Sequence, residues 1–532
     1  MKQALGRWSA IVGLGVLLVA ATTSQAATAI AAGAGAPRAG AGSANHQRTV
    51  RVNQLSQASS IRTLAPSPAA AAVQTAAPTL TAGPLRANFD GVGSLDSAIT
   101  NFGAEFEPPD QGLCAGNGFV VEMVNSAFRV YDTHGHTLAG PTNVNAPFHE
   151  GFAEFTSDPR CYFDRSTNTW FATILFINST STASTIDIAY NTSGDPTTDW
   201  SIFRIDTTRL DAPAGHGCPC FGDQPTLGID ASNLYVSTND FSILGPEFNG
   251  AQIYAIAKRD LVHHANTVHF VHYADLMIDG NLAASVQPAL TYGSAPAEYF
   301  LSSLDAAGAG DSRIAVWSLT NVNRVASGGT PRLSSVIIGS EPYAIPPGAE
   351  QLGAASLLDA GDDRMQQTQF INGEIWGALD TAVTPAGDSA PRAGAAWFRV
   401  RPQLHGSVVG GAKLTGQGYV VSRGNYVLYP AIQADSQGHA AMVVTLSGAN
   451  RYASAAYAVL ADGGRFSRPV VAAAGSGPYD SNATRWGDYS WAFLDPATDT
   501  VWMATEYMPP AASQTLDGLR NWGTRVLQLS LD

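Results

Sequence analysis

The sequence carries little charge. Asp, Glu, Lys and Arg make up 14% of its 532 residues, and 43 acids against 29 bases leave a net charge of −14. Runs of Lys or Arg are lacking. Such a balance offers no footprint for nucleic acid and no attraction to anionic membranes. Long apolar runs are lacking too: past the N-terminus nothing approaches the roughly 18 residues that span a bilayer. The sequence also has no Gly-x-Ser-x-Gly elbow, no His-Glu-x-x-His pair, no phosphate-cradling glycine loop and no EF-hand loop. Amphipathic helical periodicity is absent from the bulk of the chain. Cysteine is scarce, at four residues: Cys114, Cys161, Cys218 and Cys220.

What is present begins with an export signal. Lys2 and Arg7 precede a short apolar stretch, Ile11 to Ala21, and small residues follow through Ala27. This is the pattern of a secretory signal peptide, residues 1–26, and its apolar core is too short for a membrane span. A secreted protein, extracellular or periplasmic, is expected. Residues 27–85 are dominated by Ala, Gly, Pro, Ser and Thr. They hold too little apolar surface to offset the entropy of ordering and read as a disordered linker or pro-segment. Residues 86–532 form the folded domain. In an oxidising compartment the four cysteines are expected to form disulfides, with three pairings open. A metal reading uses Cys218-Pro219-Cys220 with His216, although zinc sites favour C-x2-C spacing.

The folded part repeats. Each unit opens with a polar lead-in, continues with an aromatic and β-branched strand, and adds an alternating strand. The lead-ins are Pro109-Asp110-Gln111, Ser157-Asp158-Pro159, Asp223-Gln224-Pro225, Val286-Gln287-Pro288, Met365-Gln366-Gln367, Leu428-Tyr429-Pro430 and Gly487-Asp488-Tyr489. Turns rich in Asp, Asn and Gly, such as Asp230-Ala231-Ser232-Asn233 and Asp435-Ser436-Gln437-Gly438, separate lead-in from strand. Similarly ordered units predict an all-β, seven-bladed β-propeller. A six-bladed ring and tandem β-sandwiches are the alternatives. Ring closure calls for a strand from about Leu85 to Phe106 to complete the last blade. The units exceed the ~40–50 residues of regular propeller repeats. The excess is assigned to connections, among them Ser201 to Gly222 and Asn321 to Asp363, where binding sites tend to lie. His263, His264, His269 and His272 read as a solvated loop.

Two segments carry a resemblance. Phe163-Asp164-Arg165-Ser166-Thr167-Asn168-Thr169-Trp170 is similar at Thr169-Trp170 to the sialidase Asp-box, a structural turn. Arg485-Trp486-Gly487-Asp488-Tyr489-Ser490 resembles segments of uncharacterised exported bacterial propellers. The chain thus resembles secreted bacterial sialidase-like and glycosidase-like β-propeller proteins. The resemblance implies a propeller and, for a catalytic member, glycoside hydrolysis. Sialidases of that kind carry six blades, and no catalytic signature matches residue by residue.

Lead-in residues of a propeller converge near the axis. Asp110, Asp158, Asp223 and Asp488, with Glu506 and Tyr489, are the candidate catalytic groups, because glycoside cleavage uses paired carboxyls about 5–10 Å apart. Arg160, Arg364 and Arg485 are candidates to clamp an anionic sugar. Gln367, Tyr429 and Trp486 are candidate binding groups, the aromatics stacking on sugar faces. No organic cofactor is called for; a calcium ion held by channel aspartates is a third reading. Two functions follow: a glycan-active hydrolase at the central face, or a non-catalytic propeller binding glycan or an extracellular protein. A monomer is expected. The disulfide reading has a direct check. Thiol titration of the unfolded, unreduced protein should find no free thiol, and four thiols would remove both bridges.

Overall fold

The computed structural model describes residues 50–52, 72–74 and 85–531, apart from 105, 153, 214, 306–307, 462–463, 480–484 and 511–521. The expected signal peptide and nearly all of the expected linker lie outside the described residues. No helix among the described residues is long and apolar enough to cross a membrane.

Strand β1, Leu85–Gly93, and a short helix α1, Ser94–Thr100, come first. Antiparallel four-stranded units follow. Gly112–Gly116, Phe119–Val124, Ala127–Asp132 and Thr137–Asn143 form β2–β5. Phe155–Asp164, Thr169–Ile177, Ser184–Asn191 and Ser201–Asp206 form β6–β9. Cys220–Ile229, Asn233–Ser242, Phe248–Ala257 and Phe270–Tyr273 form β10–β13. Gln287–Thr291, Ala297–Ser302, Asp311–Thr320 and Arg332–Tyr343 form β14–β17. Met365–Ile371, Glu374–Pro385, Arg392–His405 and Val408–Val420 form β18–β21. Tyr426–Ala434, Ala440–Gly448, Arg451–Ala461 and Val470–Ala473 form β22–β25. Trp491–Asp495, Thr500–Tyr507 and Gly523–Ser530 form β26–β28, and β1 completes that last unit as its outer strand.

The first strands stand beside one another in chain order, β2, β6, β10, β14, β18, β22 and β26, and β26 lies against β2. Some pair directly in parallel, as at Ile229↔Leu290 and Ala289↔Thr368. The run therefore closes on itself. The final seam is held by β1 antiparallel to β28, with Leu85 opposite Leu529 and Phe89 opposite Val526, inside the stretch expected to close the ring.

Burial explains which strands the sequence displays. The second strands are covered on both faces by neighbouring units, so β7 reads Thr-Trp-Phe-Ala-Thr-Ile-Leu-Phe-Ile and is almost wholly buried. A strand covered twice becomes a continuous apolar run. The fourth strands are half-exposed outer edges, as in β5 and β21. This corrects the expected three-part unit: β9 and β17 occupy stretches read from sequence as connections.

At the far end of the units, aspartates cap the hairpins between first and second strands. Asp164 accepts from the Ser166 N–H, Asp230 from those of Ser232 and Asn233, Asp435 from that of Gln437, and Asp495 from that of Ala497. The box-like segment is thus one of several Asx turns. Cys114 is bonded to Cys161, tying β2 to β6, and Cys218 is bonded to Cys220. The metal reading of the second pair falls, since both sulfurs are consumed. The histidines are also not a free loop. His272 lies in β13 and stacks on Tyr254 with ring centroids 4.4 Å apart, and His269 pairs with Asp260 at 2.7 Å.

Trp522 tests the closure. Its ring is fully buried with Val92, Val124 and Ala127, where β1 meets the first unit. Its indole N–H donates to the Phe106 carbonyl at 2.7 Å. Trp522→Ala should lower stability by about 3–5 kcal/mol in a denaturant titration.

Candidate functional site

Six of the seven lead-in stretches, all but Met365-Gln366-Gln367, share one backbone device. Asp110, Asp158, Gln224, Ser285, Tyr429 and Asp488 all have φ between 46° and 60°. This left-handed conformation is uncommon for residues other than glycine and costs roughly 1 kcal/mol or more. The inner strand gains one extra residue over its partner at the start of four units, between Ser157 and Arg160, Asp223 and Thr226, Met365 and Thr368, and Leu428 and Ala431. The bulge turns the chain from a connection into an inner strand.

Much of this polarity holds seams. Asn125 accepts from the Asp158 N–H at 2.9 Å and donates to Asp110 Oδ2 at 2.7 Å. Asn239 accepts from the Ser285 N–H at 2.8 Å, and Asp380 from the Tyr429 N–H at 2.8 Å. In each case the end of one unit's second strand grips the left-handed residue of the next. The fourth lead-in is therefore corrected: the left-handed residue is Ser285, and Gln287-Pro288 already lies in β14.

The sequence candidates divide by depth. Arg160 is 3% exposed, donates to the Gln111 carbonyl at 3.2 Å, and lies over the Tyr489 and Trp491 rings at 3.1 and 4.8 Å. Tyr489 donates across the ring to Asp158 Oδ1 at 3.2 Å, and Asp158 Oδ2 accepts from the Gln224 N–H at 3.2 Å. Gln367 clasps Ala492, accepting from its N–H at 2.8 Å and donating to its carbonyl. Glu506 is buried and accepts from the Gly487 N–H at 2.6 Å. Burial holds its carboxyl well above the usual range, and Glu107 and Asp488 add to the shift. Tyr429, Tyr489 and Trp486 are 2%, 2% and 0% exposed. The expected stacking platform is thus corrected: these rings fill the interior and offer no face to a sugar.

A partly exposed rim remains above this floor, formed by Asp223, Asp359, Asp362, Arg364, Arg485 and Asp488. Arg364 chelates Asp362 at 2.6 and 2.5 Å and reaches Gln224 Oε1 at 2.6 Å. Arg485 pairs with Asp488. Asp359 and Asp362 were not singled out from sequence because they sit in the long connection ahead of β18. The acid-rich run Asp359-Ala360-Gly361-Asp362-Asp363-Arg364 was their only signal.

The acids raise one another. Burial holds Asp110 well above the usual carboxylate range, and Asp488 and Asp158 push it further. Burial also raises Asp488, with Arg485 opposing. Asp223 is pushed up to about 7 by burial and the Asp158 charge, against the pull of Arg364. Among the described residues its carboxyl has no hydrogen-bond partner. Among the described residues no three rim carboxylates come within 4.8 Å of one another. The three ligand groups that come within 4.8 Å of one another among the described residues are Cys218, Cys220 and Asp240, with the sulfurs already bonded.

No protein-family model matches the chain, and no curated protein matches it. Among solved structures it is similar to a Dyadobacter fermentans protein of unknown function, at 10% identity over 71% of this chain and 80% of that one, with a TM-score of 0.34. It is similar to the GH93 α-L-arabinofuranosidase of Fusarium graminearum in complex with arabinobiose, at 11% identity over 83% and 98%, with a TM-score of 0.32. It is also similar to a native arabinanase of Bacillus subtilis, at 13% identity over 55% and 94%, with a TM-score of 0.28.

The raised Asp223 has a stability consequence. An acid whose folded pKa lies above its unfolded value favours the folded state fully below about pH 4, and that contribution is lost as pH rises to about 7. Asp223→Asn should therefore exceed the parent in stability at pH 8, by about 1–3 kcal/mol, with the difference shrinking towards pH 4. Paired denaturant titrations at the two pH values check this.

Proposed function

We propose that the closed run of units is a seven-bladed β-propeller, and that its lead-in face carries the active site of a glycan hydrolase. Repeated lead-ins, neighbouring first strands and the β1–β28 closure support the blade count. The observation that carries the activity is Asp223. It is reachable by solvent, unpartnered among the described residues, and pushed up to about 7. A carboxyl poised near neutrality can give a proton to a leaving glycosidic oxygen and take one back from water. Asp488 is the second carboxyl: its side chain is 34% exposed and Arg485 supports its negative charge. Asp110 and Asp158 lie deeper, in the seams. Asp158 tunes Asp223 through its charge rather than touching substrate.

The second reading is a non-catalytic binding propeller. It is favoured by the seam bonds at Asp158, Gln224 and Tyr429, which give a ring-holding reason for polar lead-ins. Two measurements separate the readings. Purified protein should cleave at least one member of a polysaccharide panel. Asp223→Asn, folded by circular dichroism, should then lose about 10²–10⁴-fold in kcat. Equal activity of variant and parent would remove Asp223 from the mechanism, and binding without cleavage would establish the second reading.

A further inference from the structure

Resting on the carbohydrate reading, we infer that this site takes uncharged sugar residues and turns away anionic ones. An arginine that captures a sugar carboxylate must present an open fork of donors. Each arginine here is already engaged. Arg364 gives two donors to Asp362 and a third to Gln224. Arg485 is paired with Asp488. Arg160 is buried against Tyr489 and Trp491 and donates to the Gln111 carbonyl. A ligand carboxylate would have to displace Asp362 or Asp488 and leave that carboxylate unpaired beside the new charge. Like charges brought together in a partly buried site are an effective means of rejection.

The remaining rim groups act in the same direction. Asp223 and Asp359 add acceptors that have no guanidinium ion pair among the described residues, and the chain as a whole carries −14. Hydroxyl groups meet none of this repulsion. They donate to the rim carboxylates without displacing an arginine from its partner. The ion pairs thus become fixed hydrogen-bonding furniture for a polyol.

The test uses the purified full chain at low ionic strength, where surface charges are least screened. The probes are neutral arabino-, xylo- and galacto-oligosaccharides, set against oligogalacturonate and sialyllactose. At least one neutral probe should bind about tenfold or more tightly than either anionic one. In Asp362→Asn the side-chain oxygen can still accept from the Arg364 N–H, while the charge that holds the guanidinium is gone. That variant should gain affinity for the anionic probes and narrow the gap. Preference of the parent for an anionic probe would overturn this inference alone. So would a folded Asp362→Asn whose anionic affinity is unchanged. Binding of neither class would overturn the inference together with the carbohydrate reading.

Discussion

At three junctions one unit grips the next through a hydrogen bond made to a left-handed residue. Asn125 holds Asp158, Asn239 holds Ser285, and Asp380 holds Tyr429. The conformation is unfavourable for an ordinary side chain, so it persists only because neighbouring strands over-determine it. The same bond fixes the angle at which the inner strand enters, which places residues 110, 158, 224, 429 and 488 around one axis. Position and chemistry are therefore not separate properties of these residues. A side chain that closes a seam also contributes its charge to a common centre.

That common centre is acidic because burial and crowding raise its carboxyls instead of ionising all of them. Asp110 is held protonated well past the ordinary range, while Asp223 sits close to neutrality. Arg485 pulls on both carboxyls, while Arg364 pulls on Asp223. Carboxyls of one chemical type thus reach different protonation states through depth and neighbours alone.

The repeat was legible because its marks are short-range. Left-handed turns favour Asp, and proline follows at Pro159, Pro225 and Pro430, so the lead-ins stand out one by one. The twice-covered second strands stand out as apolar runs. Other features were hidden for equally physical reasons. Gln287-Pro288 imitates Gln224-Pro225 as text, yet register is decided by Asn239 reaching Ser285 from another unit. The outer strands β9 and β17 are half-exposed and carry weak alternation. The roles of the polar candidates depend on depth, which no local pattern records: Arg160 and Trp486 are interior, whereas Asp362 is at the rim.

The strand that seals the ring, β1, is separated from its partner β28 by more than four hundred residues of chain. During synthesis it is made first and remains without a partner until the last strand exists. The closing step is thus dominated by non-local contact, which slows folding and prolongs the time in which strand edges stand open to other chains. Stacked units can form locally as they emerge, but the ring acquires its final edge protection only when the whole chain is present. The architecture that positions the rim so rigidly thereby makes the nascent protein dependent on whatever keeps unfinished chains apart.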